Sequence, residues 1–259
     1  MAKQLHERIK FIFNEPALLL DSTLVVSDLH IGTEQELLKK SQSFKGSTER
    51  MLVHLLKVAK KANAKKVIVL GDVLHAPLAS ANSETSFELM NFFAKLNSEV
   101  KTEVIPGNLD AGIEMIEKFG VKLHPATGII VNNVSLSHGH LPLQNSFYSC
   151  EKIICAQEHF FKKRRNGWIV AKLSGQKAKS SPIKFNPSLE LVFVPQFNPL
   201  ISLLKIPTEE MELCETTSNN LFKLDDAIAY SLQGGDLGKS RLVWGAFDGE
   251  KESRAGKAN

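Results

Sequence analysis

Histidine and acid-amide residues recur in this sequence at one kind of position. Asp28 and His30 follow the β-branched run TLVVS (Thr23–Ser27), and Asp72 and His75 follow KVIVL (Lys66–Leu70). Asn108 and Asp110 follow Thr102–Ile105, His138 and His140 follow Val134–Ser137, and Gln157 and His159 follow Lys152–Cys155. A lone histidine is more often a satisfied polar residue than a ligand, and Asp or Asn beyond a strand is a common turn residue. Five such groups in series make that ordinary explanation inadequate. The carboxyl ends of strands in open α/β sheets are where ligands bind. In extended chain, residues two apart point the same way, so Asp28 and His30 can converge on one ion. Gly71 permits a sharp turn that projects Asp72 over the same crevice. Carboxylate, amide and imidazole donors without thiolate suit divalent ions such as Mn, Fe or Zn. Asp28, His30, Asp72, Asn108, His138 and His159 make six candidate ligands, against the roughly three protein ligands of a single catalytic zinc. Two ions sharing a carboxylate accommodate them better.

The elements that must position these residues follow from periodicity. Lys10–Phe13 and Leu18–Asp21 flank Asn14-Glu15-Pro16 as a short hairpin. TLVVS and KVIVL are compact apolar runs of the kind buried on both faces of a parallel sheet, and Thr102–Ile105 is a third strand, ended by Pro106-Gly107. Between them, residues 33–63 carry helix formers. Ser47-Thr48-Glu49-Arg50 reads as a capping start before Met51, Leu52, Leu55, Leu56 and Ala59 at helical spacing. Ser83–Leu96 is a second expected helix. Ala111–Phe119 is a third, with Gly120 in the C-cap position. From there the texture changes to short strands: Gly128–Val131, Val134–Ser137 (with Asn132-Asn133 as a tight turn), Lys152–Cys155 and Gly167–Ala171. Strand–helix alternation implies right-handed parallel crossovers in the first half. Strand-only traffic implies a second, mixed or antiparallel sheet packed on the first. One domain is expected over 1–247, with a disordered tail at 248–259, where apolar residues nearly vanish.

Composition excludes other classes. With 259 residues, 43% hydrophobic and 23% charged, the chain is an ordinary globular one. No apolar run approaches the roughly 18–20 residues of a membrane span. The start, MAKQLHERIK, is too charged for a secretory segment, and three cysteines lack metal-type spacing. A cytoplasmic protein without a disulfide framework is expected. The net charge is only +4, but residues 159–189 hold eight basic side chains and no acidic one. The rest of the chain, with 24 basic and 28 acidic residues, stands at −4. Lys162, Lys163, Arg164 and Arg165 could track a phosphate backbone, with Phe160, Phe161, Trp168 and Phe185 stacking bases. The alternative is a solvated basic hairpin over core aromatics.

The series DLH, GDVLH, GNLD, HGH and QEH resembles the blocks of the calcineurin-like metallophosphoesterase superfamily, which read DxH, GDxx[DH], GNH[DE], H and GHxH. The resemblance runs from about Thr23 to His159. It is closest to the DNA-ligase-associated phosphoesterases, which have stretches similar to DLHIG, GDVLHAPL and VPQFNPL (Val194–Leu200). It implies an α/β fold, a metallophosphoesterase-type sandwich of two mixed β-sheets flanked by helices. It further implies two divalent ions, Mn before Fe or Zn. Asp28, His30 and His159 would hold the first, Asp72 would bridge, and Asn108 and His138 would hold the second. The implied reaction is hydrolysis of a phosphate ester, as a phosphodiesterase or nuclease, through water made acidic between the ions.

Two positions depart from the pattern. The family's GNH[DE] histidine, which contacts the phosphate and can protonate the leaving group, is Leu109 here. The first GHxH histidine is Gln157, a weaker donor for a transition metal. Loss of a general acid typically costs about 10²–10⁴ in rate. His75, His140 and Asp110 are the nearby candidates for catalytic proton work, with orientation of ligands as the alternative role for the two histidines. The competing reading is a degenerate family member that binds a metal or nucleic acid without turnover.

Overall fold

The computed structural model describes residues 8–156, 167–174, 179, 183–204, 222 and 227–239. The first sheet opens with β1 (Ile9–Phe11) and β2 (Leu18–Leu20), an antiparallel pair turned by Asn14 in left-handed backbone. β3 (Thr23–Ser27), β4 (Lys66–Leu70), β5 (Lys101–Ile105) and β6 (Lys122–Leu123) complete it in that order, parallel from β3 onward. The crossovers carry α1 (Thr33–Leu38), α2 (Ser47–Lys61) and α3 (Ser83–Glu99). The second sheet comprises β7 (Ile129–Val131), β8 (Val134–Ser137), β9 (Lys152–Ala156), β10 (Gly167–Lys172), β11 (Glu190–Val194), β12 (Ile228–Ser231) and β13 (Asp236–Lys239). Among the described residues its order is β13-β12-β10-β11-β9-β8-β7. It is mixed: β8, β9 and β11 run parallel, and the other pairs are antiparallel.

Burial of both faces explains why β3 and β4 are largely apolar, while β5 carries one buried acid, Glu103, paired with Lys66 and His124. Leu24, Val26, Val67, Val69 and Val104 face the helices, where they pack with Leu55, Phe92, Phe93 and Leu96. Their neighbours Val25, Ile68, Leu70 and Ile105 face the second sheet and meet Leu136, Ile154, Trp168, Val192 and Val194. Burying each such side chain contributes about 1.5–3 kcal/mol. The resulting sandwich of two mixed sheets with helices against the first is the α/β architecture expected.

Two elements differ from expectation. Ala111–Phe119 is not an α-helix: Ile113–Phe119 forms a 3-10 helix, closed at both ends by left-handed glycines, Gly112 (φ 90°) and Gly120 (φ 79°). So short a segment has few i→i−4 bonds to gain, and the tighter turn wins. The start of α2 falls at Ser47 as its sequence indicates, but no capping box forms, and Gly46 is the N-cap without a side-chain bond. Instead the buried Glu34 carboxylate of α1 accepts the backbone N–H groups of Gly46 and Thr48. That places a negative charge on the positive end of α2 and ties the helix to the loop after β3.

Candidate metal centre

β3 and β4 end side by side, Ser27 opposite Leu70, and the chains stay paired beyond them. The Asp28 N–H donates to the Gly71 carbonyl (3.2 Å), His30 N–H to that of Asp72 (2.8 Å), and Ile31 N–H to that of Val73 (2.7 Å). Asp28 (φ 55°), His30 (φ 44°), Gly71 (φ 62°) and Asp72 (φ 45°) all adopt left-handed backbone. At each non-glycine position this costs about 1–2 kcal/mol, strain that persists where surrounding structure enforces it. These turns, rather than extended-chain alternation, bring Asp28 and His30 together, which corrects the geometry inferred from their spacing. Asp28, His30 and Asp72 are buried, and one ligand atom of each lies within 4.8 Å of the others.

His138 arrives from the end of β8 in the opposite sheet. Its Nε2 stands 3.6 Å from Asp28 Oδ1 and 3.6 Å from Asp72 Oδ1, while His30 Nε2 is 3.8 Å from Asp72 Oδ2. Asp72 thus turns one oxygen to each histidine, and its Oδ1 also accepts the Leu109 N–H (3.3 Å). A Cβ on Gly71 would overlap the His138 ring and come within 2.8 Å of the Gly107 Cα. A Cβ on Gly107 would overlap Asp72. Glycine is required here because three loops approach backbone to side chain.

Both oxygens of Asp28 are buried, and neither accepts a hydrogen bond among the described residues. An ionised carboxylate in that condition is costly unless a cation sits beside it. The donor set of two carboxylates and two imidazoles fits a divalent ion. Burial disfavours charge on His138, yet Asp72, Asp28 and Asp110 together push its pKa up to about 9. Burial and the adjoining His138 cation push His140 down to about 4. The two rings meet at Nδ1, 3.0 Å apart. An imidazole nitrogen that faces an ion carries no proton, so with Nε2 toward the carboxylates His138 would donate from Nδ1 and His140 accept. His140→Ala is expected to weaken manganese binding about 10–100-fold by calorimetric titration; unchanged affinity would remove this orienting role.

Asp110 is buried, with its Oδ1 accepting Leu74 N–H (2.9 Å) and its Oδ2 accepting Gly107 N–H (2.7 Å). It thus clamps the loops after β4 and β5 together. Burial raises its pKa against those two hydrogen bonds, and the Asp72 charge adds to the rise. Asn108 is exposed in the loop after β5, and Leu109 is half-buried beside it. His75 stands edge-on to His30 with ring centroids 5.6 Å apart. Gln157 and His159, with Lys162, Lys163, Arg164 and Arg165, lie outside the described residues, as do Phe160, Phe161 and the tail 248–259. Of the basic stretch, Lys172, Lys179 and Lys184 are described and exposed. Trp168 is buried between the sheets against Phe11, and Phe185 packs on Tyr148. These two aromatics serve the core.

The positioning role of the segment after β11 escaped the sequence reading. Phe197 N–H donates to the Ser27 carbonyl (2.8 Å) and Asn198 N–H to that of Asp28 (3.3 Å). The buried Asn198 amide donates to the Leu29 carbonyl (2.9 Å) and accepts the Leu200 N–H (3.0 Å). It therefore props the Asp28–His30 turn from the second sheet. The one available signal was Asn198-Pro199, an N-cap followed by a helix-starting proline. Asn198→Ala leaves the Leu29 carbonyl without its donor and should cost about 1–3 kcal/mol in urea unfolding; an unchanged midpoint would contradict that role.

No helix among the described residues is long and apolar enough to cross a membrane, and Cys150 and Cys155 are buried and form no disulfide among the described residues. No curated protein matches the chain. Among solved structures, the Pseudomonas putida nuclease MPE is similar over 84% of this chain and 89% of its own, at 18% identity and a TM-score of 0.52. That is a likeness of fold. The family model for calcineurin-like phosphoesterases matches residues 22–184, which span more than half of the sequence and all four clustered residues. By that match and by the geometry of its strand ends, the chain belongs to the calcineurin-like phosphoesterase family.

Proposed function

We propose that the protein is a dinuclear metal-dependent phosphodiesterase or nuclease of the cytoplasm, acting by direct hydrolysis. The observation that carries this reading is the convergence of Asp28, His30, Asp72 and His138, with both Asp28 oxygens buried and without hydrogen bonds among the described residues. Asp28, His30 and His159 would hold one ion, Asn108, His138 and Gln157 the other, and Asp72 both. The division of the Asp72 oxygens between His30 and His138 supports the bridging role. Divalent ions so held, Mn before Fe or Zn, would acidify a water for in-line attack and offset charge on the phosphate. The chain's own residues hold the geometry. Asp110 and Asn198 fix the loops, His140 orients His138, and the Leu109 N–H donates to Asp72. The similarity of DLHIG, GDVLHAPL and VPQFNPL to DNA-ligase-associated phosphoesterases, and the fold likeness to a nuclease, favour a nucleic-acid substrate. The basic residues Lys162, Lys163, Arg164 and Arg165 would contact its backbone. A panel of single-stranded DNA, RNA and phosphomonoesters, with manganese, tests the substrate class. Cleavage of nucleic acid ahead of monoesters is expected; hydrolysis of monoesters alone would overturn it.

A second reading has one specific observation behind it. At the position of the family's phosphate-contacting histidine, Leu109 offers Asp72 only its backbone N–H, and its side chain can neither give nor take a proton. On this reading the protein is a binding module. Bound manganese without turnover of any phosphate ester would favour it.

A further inference from the structure

Glu36 lies on α1, one turn beyond the Asp28–His30 loop, and its carboxylate Oε2 is 3.0 Å from the Nε2 of His75. The two residues are 39 positions apart, one on α1 beyond the loop after β3 and the other in the loop after β4. These loops are held together by the Ile31–Leu74 bridge and by the His75 N–H donated to the Ile31 carbonyl (2.9 Å). An ionised carboxylate only accepts, so Nε2 must carry the proton. The other ring nitrogen, Nδ1, is buried and has no hydrogen-bond partner among the described residues. The ring stands edge-on to His30. The pair thus has one nitrogen committed outward to a carboxylate and one bare, buried acceptor on the ring that adjoins the ligand cluster. Leaving a buried acceptor unsatisfied costs about 1–3 kcal/mol, so the contacts that hold the ring in this orientation must offset that cost.

We propose that Glu36 is a positioning residue that sets the tautomer and orientation of His75. The imidazole is then fixed edge-on to His30, so that the pair holds that ligand ring in place. A partner that fixes a metal-ligating ring is typically worth about 10–100-fold in activity or metal affinity. The proposal rests on the hydrolytic reading above, but its structural half stands on the Glu36–His75 contact alone.

Two measurements separate these halves. In the zinc-loaded protein, which is diamagnetic, long-range proton–nitrogen correlation spectra of the histidine rings report which nitrogen carries the proton. His75 is expected to show protonated Nε2 and bare Nδ1 without any substrate present, and Glu36→Ala is expected to mix the two tautomers. A His75 ring protonated on Nδ1 in the native protein, or one unaffected by Glu36→Ala, overturns the positioning role. The kinetic half uses diester hydrolysis. Glu36→Ala should lower kcat about 10–100-fold with KM nearly unchanged. Glu36→Gln, whose side-chain oxygen still accepts from Nε2, should recover most of that loss. On a His75→Ala background, Glu36→Ala should have no further effect. A fall confined to KM, no recovery by Gln, or full additivity would contradict the proposal. Absence of turnover in the native protein would sink the hydrolytic reading while leaving the tautomer result intact.

Discussion

Asp72→Asn is expected to lower diester hydrolysis by well over 100-fold while leaving the fold in place. Even residues that only orient metal ligands are typically worth about 10–100-fold, and Asp72 faces His30 with one oxygen and His138 with the other. Asparagine has the same shape, and its carbonyl oxygen can still accept the Leu109 N–H. It loses the negative charge and the ability to serve two cations. In the chelated protein two effects oppose each other: losing one of two buried carboxylates relieves their repulsion, and it also removes a charge that stabilises the His138 cation 3.6 Å away. The diagnostic quantity is therefore the rise in melting temperature produced by added manganese, which should shrink in the variant. A variant with wild-type turnover would mean that Asp72 holds no ion.

The second large effect concerns a residue with no chemistry. Gly71→Ala should destabilise the protein by about 2–5 kcal/mol. Left-handed backbone costs a non-glycine residue about 1–2 kcal/mol, and forcing a methyl into a filled space typically costs about 1–3 kcal/mol. Gly71 has φ 62°, and its added Cβ would overlap the His138 ring, with the Gly107 backbone behind it. The ring cannot retreat without leaving Asp28 and Asp72, so activity should fall together with stability. Urea unfolding read by circular dichroism, with a parallel manganese titration, measures both. A midpoint within error of wild type would show that the three loops are less tightly packed than these distances indicate.

The central strands were legible because both faces of β3, β4 and β5 are buried. Leu24 and Val26 look to the helices, Val25 to the second sheet, so β3 and β4 are apolar almost to their ends, whereas β5 carries Thr102 and the ion-paired Glu103 before Val104 and Ile105. Asp28, His30, Asp72 and His138 were legible as the polar groups gathered just beyond the ends of β3, β4 and β8. Their mutual geometry was not. It depends on left-handed turns at Asp28, His30 and Asp72, which no side-chain pattern announces outside glycine. The partners that hold the site were hidden by distance along the chain. Asn198 reaches Leu29 across 169 positions, Glu36 meets His75 across 39, and Glu34 caps a helix from another element. Asp110 read as a proton carrier because it is an acid beside a motif, whereas both its oxygens are engaged by backbone N–H groups. The 3-10 geometry of Ile113–Phe119 was missed because glycines at both ends shorten what periodicity suggests is a helix.

The most direct measurement is metal stoichiometry taken with turnover on one sample. Protein stripped with chelator, reloaded with manganese and freed of excess ion should carry two ions per chain. It should also release nitrophenol from bis-nitrophenyl phosphate, with Asp72→Asn losing both the second ion and the turnover. A chain that binds one ion or none and hydrolyses nothing, or an Asp72→Asn variant that matches wild type, would contradict the account.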